Sequence, residues 1–261
     1  MEQKKKTAAR TEDGSVVVGR NPVMELLKSG RDVEKLYIQR GEREGSITKI
    51  FALAKQKNIV ISEVDKRRLD ELSFGNAHQG VAAIASAVEY KTVKEIVAIA
   101  EEKGEKPLIV VCDGVEDPHN LGAIIRCADG AGAHGIVVSK RHCPVIGQTV
   151  LKSSAGAASY VPIARVSNIA SAIDELKELG VWAYAAEADG VSYKEADFAG
   201  ACAIVLGSEG NGVSRLVREK CDFTVSIPMR GHVNSLNVST AASVLLFEAA
   251  DKQGRKEKRQ Q

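Results

Sequence analysis

The residues of this 261-residue chain best suited to chemistry are polar ones gathered in three short loops, each leading into a helical pattern. The most informative lies in IPMRGHVNSLNVSTAASVLLFEAA, residues 227–250, where Gly231, His232, Asn234 and Ser235 run straight into an apolar periodicity. Val238, Ala241, Ala242, Leu245, Leu246 and Ala249 fall at i, i+3, i+4, i+7, i+8 and i+11, one continuous helical face. Ser235 and Asn237 stand where the first turn of that helix leaves N–H groups without partners, so the loop is either a plain N-cap or a ligand-binding helix start. A second loop, DPHN (117–120), ends a strand and opens a helix that carries Arg126. The third, GSEGNG (207–212), sits between a strand and a helix and carries Glu209. In an open α/β sheet the carboxyl edge of the strands is where ligands bind, so these three loops are expected to meet at one site.

Several chemistries are excluded by spacing. GSEGNG reads G-x-x-G-x-G rather than G-x-G-x-x-G, and no βαβ acidic residue follows about 20 positions later, which argues against a dinucleotide. No P-loop, nucleophile elbow or paired-carboxylate motif supports a kinase or hydrolase. His119, His134, His142 and His232 lack metal-ligand spacing, and the five cysteines form no CxxC pair, so neither a metal nor a disulfide is expected.

The elements that must position these loops can be read in order. Residues 1–13 are polar and expected to be disordered. From Val16, β-branched runs alternate with helical ones (VVVG, NPVMELLKSG, EKLYIQ, ITKIFALAKQKN, IVISEV, DKRRLDELS, VAAIASAV), which predicts a small α/β domain over 14–90. Arg40, Arg43 and Lys66-Arg67-Arg68 lie on or beside its helices, either as phosphate contacts or as a solvated face, and His78-Gln79-Gly80 forms a polar turn of no evident purpose. Residues 91–106 are charged and helical and read as a connector. From Pro107 a uniformly apolar strand, PLIVVCDGV, begins a second alternation to residue 251, through GIVVS, YVPIARV, VWAYAAEA and ACAIVLG, with ADGVSYKEADF as a loop and 223–229 as a β-rich segment. This predicts an α/β fold: a mostly parallel sheet with helices on both faces, unknotted because threaded chains are rare.

Charge is uneven although the net is only +2. Residues 1–90 carry a net +3, 91–251 a net −5 and 252–261 a net +4. Basic ends on a mildly acidic body fit contact with a polyanion or, equally, tails that aid solubility. No run approaches 18 apolar residues and MEQKKKTAAR has no apolar core, so neither a membrane span nor a secretory signal is expected and the chain reads as cytoplasmic.

Three motifs in this order, DPHNLGAIIRCADGAG (117–132), IVLGSEGNGV (204–213) and IPMRGHVNSLNVSTAASVLLFE (227–248), closely resemble those of the SpoU/TrmH family of RNA 2′-O-ribose methyltransferases. VVVGRNPVMELLKSGRDVEKLYIQR also looks like the start of that family's substrate-binding domain, which is similar to a ribosomal L30-type fold. The resemblance implies, against the unknotted expectation, a deep trefoil knot that binds S-adenosylmethionine, and a homodimer in which two protomers build each active site. It implies that Gly207, Ile227 and Leu236, with Met229 nearby, hold the cofactor largely through backbone groups. It implies that Asn120, Arg126, Glu209, Ser235 and Asn237 form the catalytic set, although turn and cap duty is open for Asn120 and Glu209. Some accounts of the family make Arg126 the general base, but a guanidinium does not deprotonate in proteins, and a clamp on the phosphate beside the target ribose fits it better. The arrangement of domains most resembles the branch that methylates a guanosine of 23S rRNA. The same chemistry on tRNA or another rRNA site, and a non-catalytic ribosome-assembly factor, are the alternatives.

Overall fold

The computed structural model describes residues 9–11, 14–41 and 44–255. The chain divides into two compact units, Met1–Glu89 with Val145–Thr149 and Tyr90–Pro144 with Val150–Gln261.

In the first unit the strands β1 (Ala9–Thr11), β2 (Gly14–Val18), β3 (Val33–Gln39), β4 (Val60–Val64) and β5 (Val81–Ala85) form a sheet in the order β1-β2-β5-β3-β4. β3 and β4 are parallel and the other pairs antiparallel. Helices α1 (Arg20–Lys28), α2 (Ser46–Gln56) and α3 (Lys66–Ser73) cover it. All five residues of β5 are buried, and the period of two explains how. Val81, Ala83 and Ala85 meet Leu26, Leu27 and Ile50 of α1 and α2, whereas Ala82 and Ile84 meet Leu69 and Leu72 of α3. The expectation of disorder over 1–13 fails at residues 9–11, which pair with β2 through Ala9↔Val16; residues 1–8, 12 and 13 lie outside the described residues.

In the second unit every strand pair is parallel. After β6 (Tyr90–Lys91) and α4 (Val93–Glu102) come β7 (Leu108–Cys112), α5 (Pro118–Gly130), β8 (Gly135–Ser139), α6 (Gln148–Ser153), a 3₁₀ turn at Ala157–Ser159, β9 (Ile163–Val166) and α7 (Ile169–Glu178). There follow β10 (Trp182–Ser192), β11 (Cys202–Leu206), α8 (Arg215–Lys220), β12 (Phe223–Ser226) and α9 (Val238–Lys252). The sheet order is β12-β10-β11-β7-β8-β9-β6. β7 (LIVVC) and β11 (CAIVL) are buried at every position, because helices cover both faces. Ile96 and Val97 of α4, Ile173 and Leu176 of α7 and Val217 of α8 share one core with Ile109, Val111 and Val205. On the other side α5 packs on β8 and α9, and α9 on β11.

Residues 91–106, read as a connector, are part of this core. A capping box starts α4, with Thr92 N donating to Glu95 Oε2 at 2.6 Å and Glu95 N to Thr92 Oγ1 at 3.2 Å, and its apolar stripe is buried. The segment was charged enough to pass for a linker because its solvated face alternates with that stripe. β10 also runs through 188–192, read as loop, after a register shift between Ala186 and Val191. β12 stops at Ser226, short of Met229. The basic tail fails over 252–255, since Lys252 ends α9 and donates to the carbonyls of Lys194 and Ala196, and Arg255 donates to Lys106 O at 2.8 Å. Residues 256–261, with the rest of that tail, lie outside the described residues, as does Arg43. Among the described residues no helix is long and apolar enough to cross a membrane.

Candidate active site

Asp117 ends the turn after β7 by accepting from His119 N at 2.9 Å, with Pro118 in the first helical position, and this N-cap sets the axis of α5. Asn120 thereby points from the first turn of α5, 8% exposed, toward the loop after β11. That loop is tight, closed by reciprocal backbone bonds between Ser208 and Gly212 at 3.0 and 2.9 Å, and lifts Glu209 at its tip. Gly207 permits the closure, because a Cβ there would stand 1.9 Å from the carbonyl carbon of Gly212. At the start of α9, Asn237 Oδ1 accepts from Ser239 N at 2.9 Å and Ser239 Oγ at 2.6 Å. With its oxygen held, its amide nitrogen turns outward.

The three side chains meet. Asn120 Nδ2 donates to Glu209 Oε1 at 2.6 Å, Asn237 Nδ2 to the same oxygen at 2.8 Å, and Asn237 Nδ2 to Asn120 Oδ1 at 3.0 Å. Residues 117 positions apart in sequence are thus locked into one triangle. Hydrogen bonds to a charged acceptor are the strong ones, and two of them on Oε1 fix the carboxylate plane and leave Oε2 to meet a ligand.

Beside the triangle lies a cavity of about 330 Å³, a size suited to a small ligand. Leu206, Val225, Ala241 and Leu245 supply apolar wall, Gly207 through Gly212 supply backbone, and Glu187 and Glu209 supply carboxylates. Gly207, Ile227, Met229 and Leu236, the residues expected at the cofactor, all line it, as do Glu209 and Ser235. A mixed apolar and backbone-lined space with two carboxylates fits an adenine-bearing ligand with a cationic centre.

Two of the expected catalytic residues stand apart. Ser235 lines the cavity but its hydroxyl donates at 3.4 Å to Asn234 Oδ1 and not to the triangle, and the cap of α9 is Asn237 rather than Ser235. Arg126 is exposed and has no hydrogen bond or ion pair among the described residues. It follows Asn120 by six positions on the same helix, which sets it about 120° around and about 9 Å further along the axis. Motif spacing said nothing of Glu187, which accepts from Val213 N at 2.5 Å and pins the loop from behind. A carboxylate at the carboxyl end of a parallel strand was the available signal, obscured because β10 continues through it.

The profile of the SpoU rRNA methylase family matches residues 107–247, and that of the RNA 2′-O ribose methyltransferase substrate-binding domain matches 16–91. A Staphylococcus haemolyticus protein named for the TrmH family of tRNA/rRNA methyltransferases is 46% identical over 89% of this chain and 94% of its own. Among solved structures, the SpoU methyltransferase AviRb of Streptomyces viridochromogenes, in complex with the cofactor AdoMet, is similar at a TM-score of 0.59 and 25% identity, over 93% of this chain and 91% of its own. An RNA 2′-O ribose methyltransferase is similar at 0.54 and 26%, over 92% and 89%. With both profiles matched in order and the motif residues brought together around one cavity, the chain belongs to the SpoU/TrmH family of RNA methyltransferases.

Proposed function

We propose that this enzyme transfers the methyl group of S-adenosylmethionine to the 2′-hydroxyl of a ribose in RNA, a guanosine of 23S rRNA, and acts as a homodimer. The observation that carries the reading is the Asn120–Glu209–Asn237 triangle at the rim of the cavity, with Arg126 exposed and bonded to none of its members. S-adenosylmethionine supplies an electrophilic methyl group on a sulfonium. The backbone of Gly207, Ile227 and Leu236, all lining the cavity, would hold its adenine, and the apolar walls would exclude water. Glu209 Oε2 accepts the ribose hydroxyl and, with the two asparagines, sets it in line. In transfer the 2′-oxygen would form its bond to the methyl carbon as the sulfonium S–CH3 bond breaks, leaving the neutral thioether S-adenosylhomocysteine, while the hydroxyl proton passes to the Glu209 carboxylate; preorganised dipoles and a cation would stabilise the charge that develops on the oxygen. Arg126 is that cation, placed on the phosphate beside the ribose by the partner protomer, since in its own protomer it neither bonds the triangle nor lines the cavity.

The knot belongs to the same reading. After the edge strand β12 the chain returns to the middle of the sheet, where Asn237 bonds Asn120, and such a return is what threading 227–250 requires.

The test is to incubate the protein with labelled S-adenosylmethionine and either an unmodified 23S rRNA transcript or unmodified tRNA, then map 2′-O-methyl groups by nucleotide. One labelled guanosine in the rRNA is expected. Label in tRNA alone would keep the chemistry and overturn the substrate, and cofactor binding without transfer to any RNA would favour an assembly factor.

A further inference from the structure

The outer strand pair of the second unit breaks its register where it passes the cofactor cavity. Ala186 and Val191 of β10 both pair with Val225 of β12, so residues 187–190 leave the ladder as a four-residue bulge. An ordinary bulge adds one residue and re-aims a side chain, so an excursion of four beside a ligand cavity calls for a reason. Glu187 and Ala188 of the bulge line the cavity, and Glu187 is the polar group it delivers there.

Each part of the bulge is held. Val213 N donates to Glu187 Oε1 at 2.5 Å, Arg218 Nη2 to Asp189 Oδ2 at 2.8 Å, and Ser226 Oγ to Gly190 O at 2.8 Å. Gly190 lets the bulge rejoin β12, because a Cβ there would stand 2.5 Å from Val225 N. Gly212, at a φ of 64°, lets the carboxylate lie against the 207–212 turn, because a Cβ there would stand 2.6 Å from Glu187 Oε1. One carboxylate oxygen is thus fixed, and Oε2 has no hydrogen-bond partner among the described residues.

No lysine, arginine or histidine lines the cavity, whereas Glu187 and Glu209 both do. Asp189 takes Arg218, the cation whose field also reaches Glu187. Glu187 therefore turns an unpaired carboxylate toward the ligand. The cofactor changes charge in one place, where the sulfonium becomes a neutral thioether as the methyl leaves. Its α-ammonium, ribose hydroxyls and adenine are the same before and after. The sulfonium lies toward Glu209, since its methyl has to reach the hydroxyl that Glu209 meets, and the bulge holds Glu187 against the closing residues of the turn that carries Glu209 at its tip.

We propose that Glu187 is the counter-ion of the cofactor's sulfonium and makes the cavity prefer S-adenosylmethionine to its demethylated product. The preference serves turnover, because the thioether left after transfer no longer attracts the carboxylate and is released. It slows the chemical step in return, since an ion pair that is stronger before transfer than during it raises the barrier. The inference rests on the methyltransferase reading but not on which RNA is methylated.

The experiment titrates the full chain, without RNA, with S-adenosylmethionine and separately with S-adenosylhomocysteine by calorimetry, in the wild type, Glu187→Gln and Glu187→Asp. Glutamine keeps an oxygen for Val213 N and removes the charge, whereas aspartate keeps the charge on an arm too short for that bond. In Glu187→Gln the preference for S-adenosylmethionine over S-adenosylhomocysteine should fall about tenfold, the effect of one ion pair in a partly screened site, with the product's Kd and the Tm unchanged. In Glu187→Asp both ligands should weaken while the preference stays near that of the wild type. Equal weakening of both ligands in Glu187→Gln would put the carboxylate on a group they share, and unchanged binding of both would leave Glu187 a loop support only; either result overturns the proposal. The labelled-cofactor assay on rRNA and tRNA separates the two readings. A wild type that methylates RNA while Glu187→Gln keeps its preference sinks the sulfonium contact alone, and a collapsed preference in a protein that methylates neither RNA keeps the contact and sinks the RNA assignment.

Discussion

Arg126 and Asn120 share one helix, and on the proposed reading Arg126 serves the partner protomer's site, which sets what each substitution should do. Arg126→Ala removes a cation that touches neither the triangle nor the cavity, so transfer should fall by about 100-fold or more while S-adenosylmethionine affinity is unchanged by calorimetry. Near-normal turnover would take Arg126 out of the mechanism. Ser239 acts on the triangle only through Asn237, whose oxygen it holds at 2.6 Å. Ser239→Ala should lower kcat severalfold, with Ser239→Thr restoring it; a purely structural role would leave kcat alone and lower only Tm. Asn237→Ala removes an N-cap and two bonds to its neighbours, so it should cost about 1 kcal/mol or more in urea unfolding besides its effect on turnover.

At the scale of elements, two devices hold the second unit in shape, one at its site and one at the opposite edge of the sheet. One is the 207–212 loop. Gly207→Ala would drive a Cβ into the backbone of Gly212 and Val213, so S-adenosylmethionine binding should be lost while the separate sheet of the first unit keeps its fold, which amide exchange can read. The other is the clamp at the start of β8. His134 accepts from Leu108 N at 3.1 Å and bonds Glu105 at 3.0 Å, and Arg255 donates to the carbonyls of Lys106 and Gly132. Burial, and then the Arg255 charge, push the His134 imidazole down to about 4, against the pull of Glu105. The folded group is therefore neutral where the unfolded one already binds a proton. Its contribution to stability is complete above about pH 6.5 and is lost as pH falls toward 4, at up to about 1.4 kcal/mol per unit. Tm measured across that window should fall, and His134→Gln should flatten the slope; an unchanged slope would assign the loss to other groups.

For the whole molecule the decisive question is whether two chains share a site. Mixed dimers of Arg126→Ala and Asn120→Ala, each inactive alone, should recover about a quarter of wild-type activity, because random pairing makes half the dimers mixed and each mixed dimer keeps one intact site. No recovery would place Arg126 and the triangle in the same protomer and contradict the shared site.

How much of this was legible in the chain follows from the range of the forces involved. Apolar periodicity is local, so β7, α5, β11 and α9 could be read from residues 107–250, and the alternation predicted a parallel sheet covered on both faces. The same locality misread 91–106, because the charges of α4 are visible in sequence whereas the surface that buries Ile96 is made by β7, β8 and α7. The residue types at 120, 207, 209 and 237 could be singled out beforehand, and their motif order pointed to the family. That Glu209 receives both asparagines, that Asn237 rather than Ser235 caps α9, and that Arg126 bonds none of them depends on helix phase and on loop closure across some 90 to 120 residues. Phe74 shows the limit from the other side. Nothing in the run DKRRLDELS announces that the chain turns left-handed at the end of α3, where Phe74 holds a φ of 50° with its ring exposed. Local composition determines which elements form and which residues they carry; the packing of distant elements determines which of those residues meet.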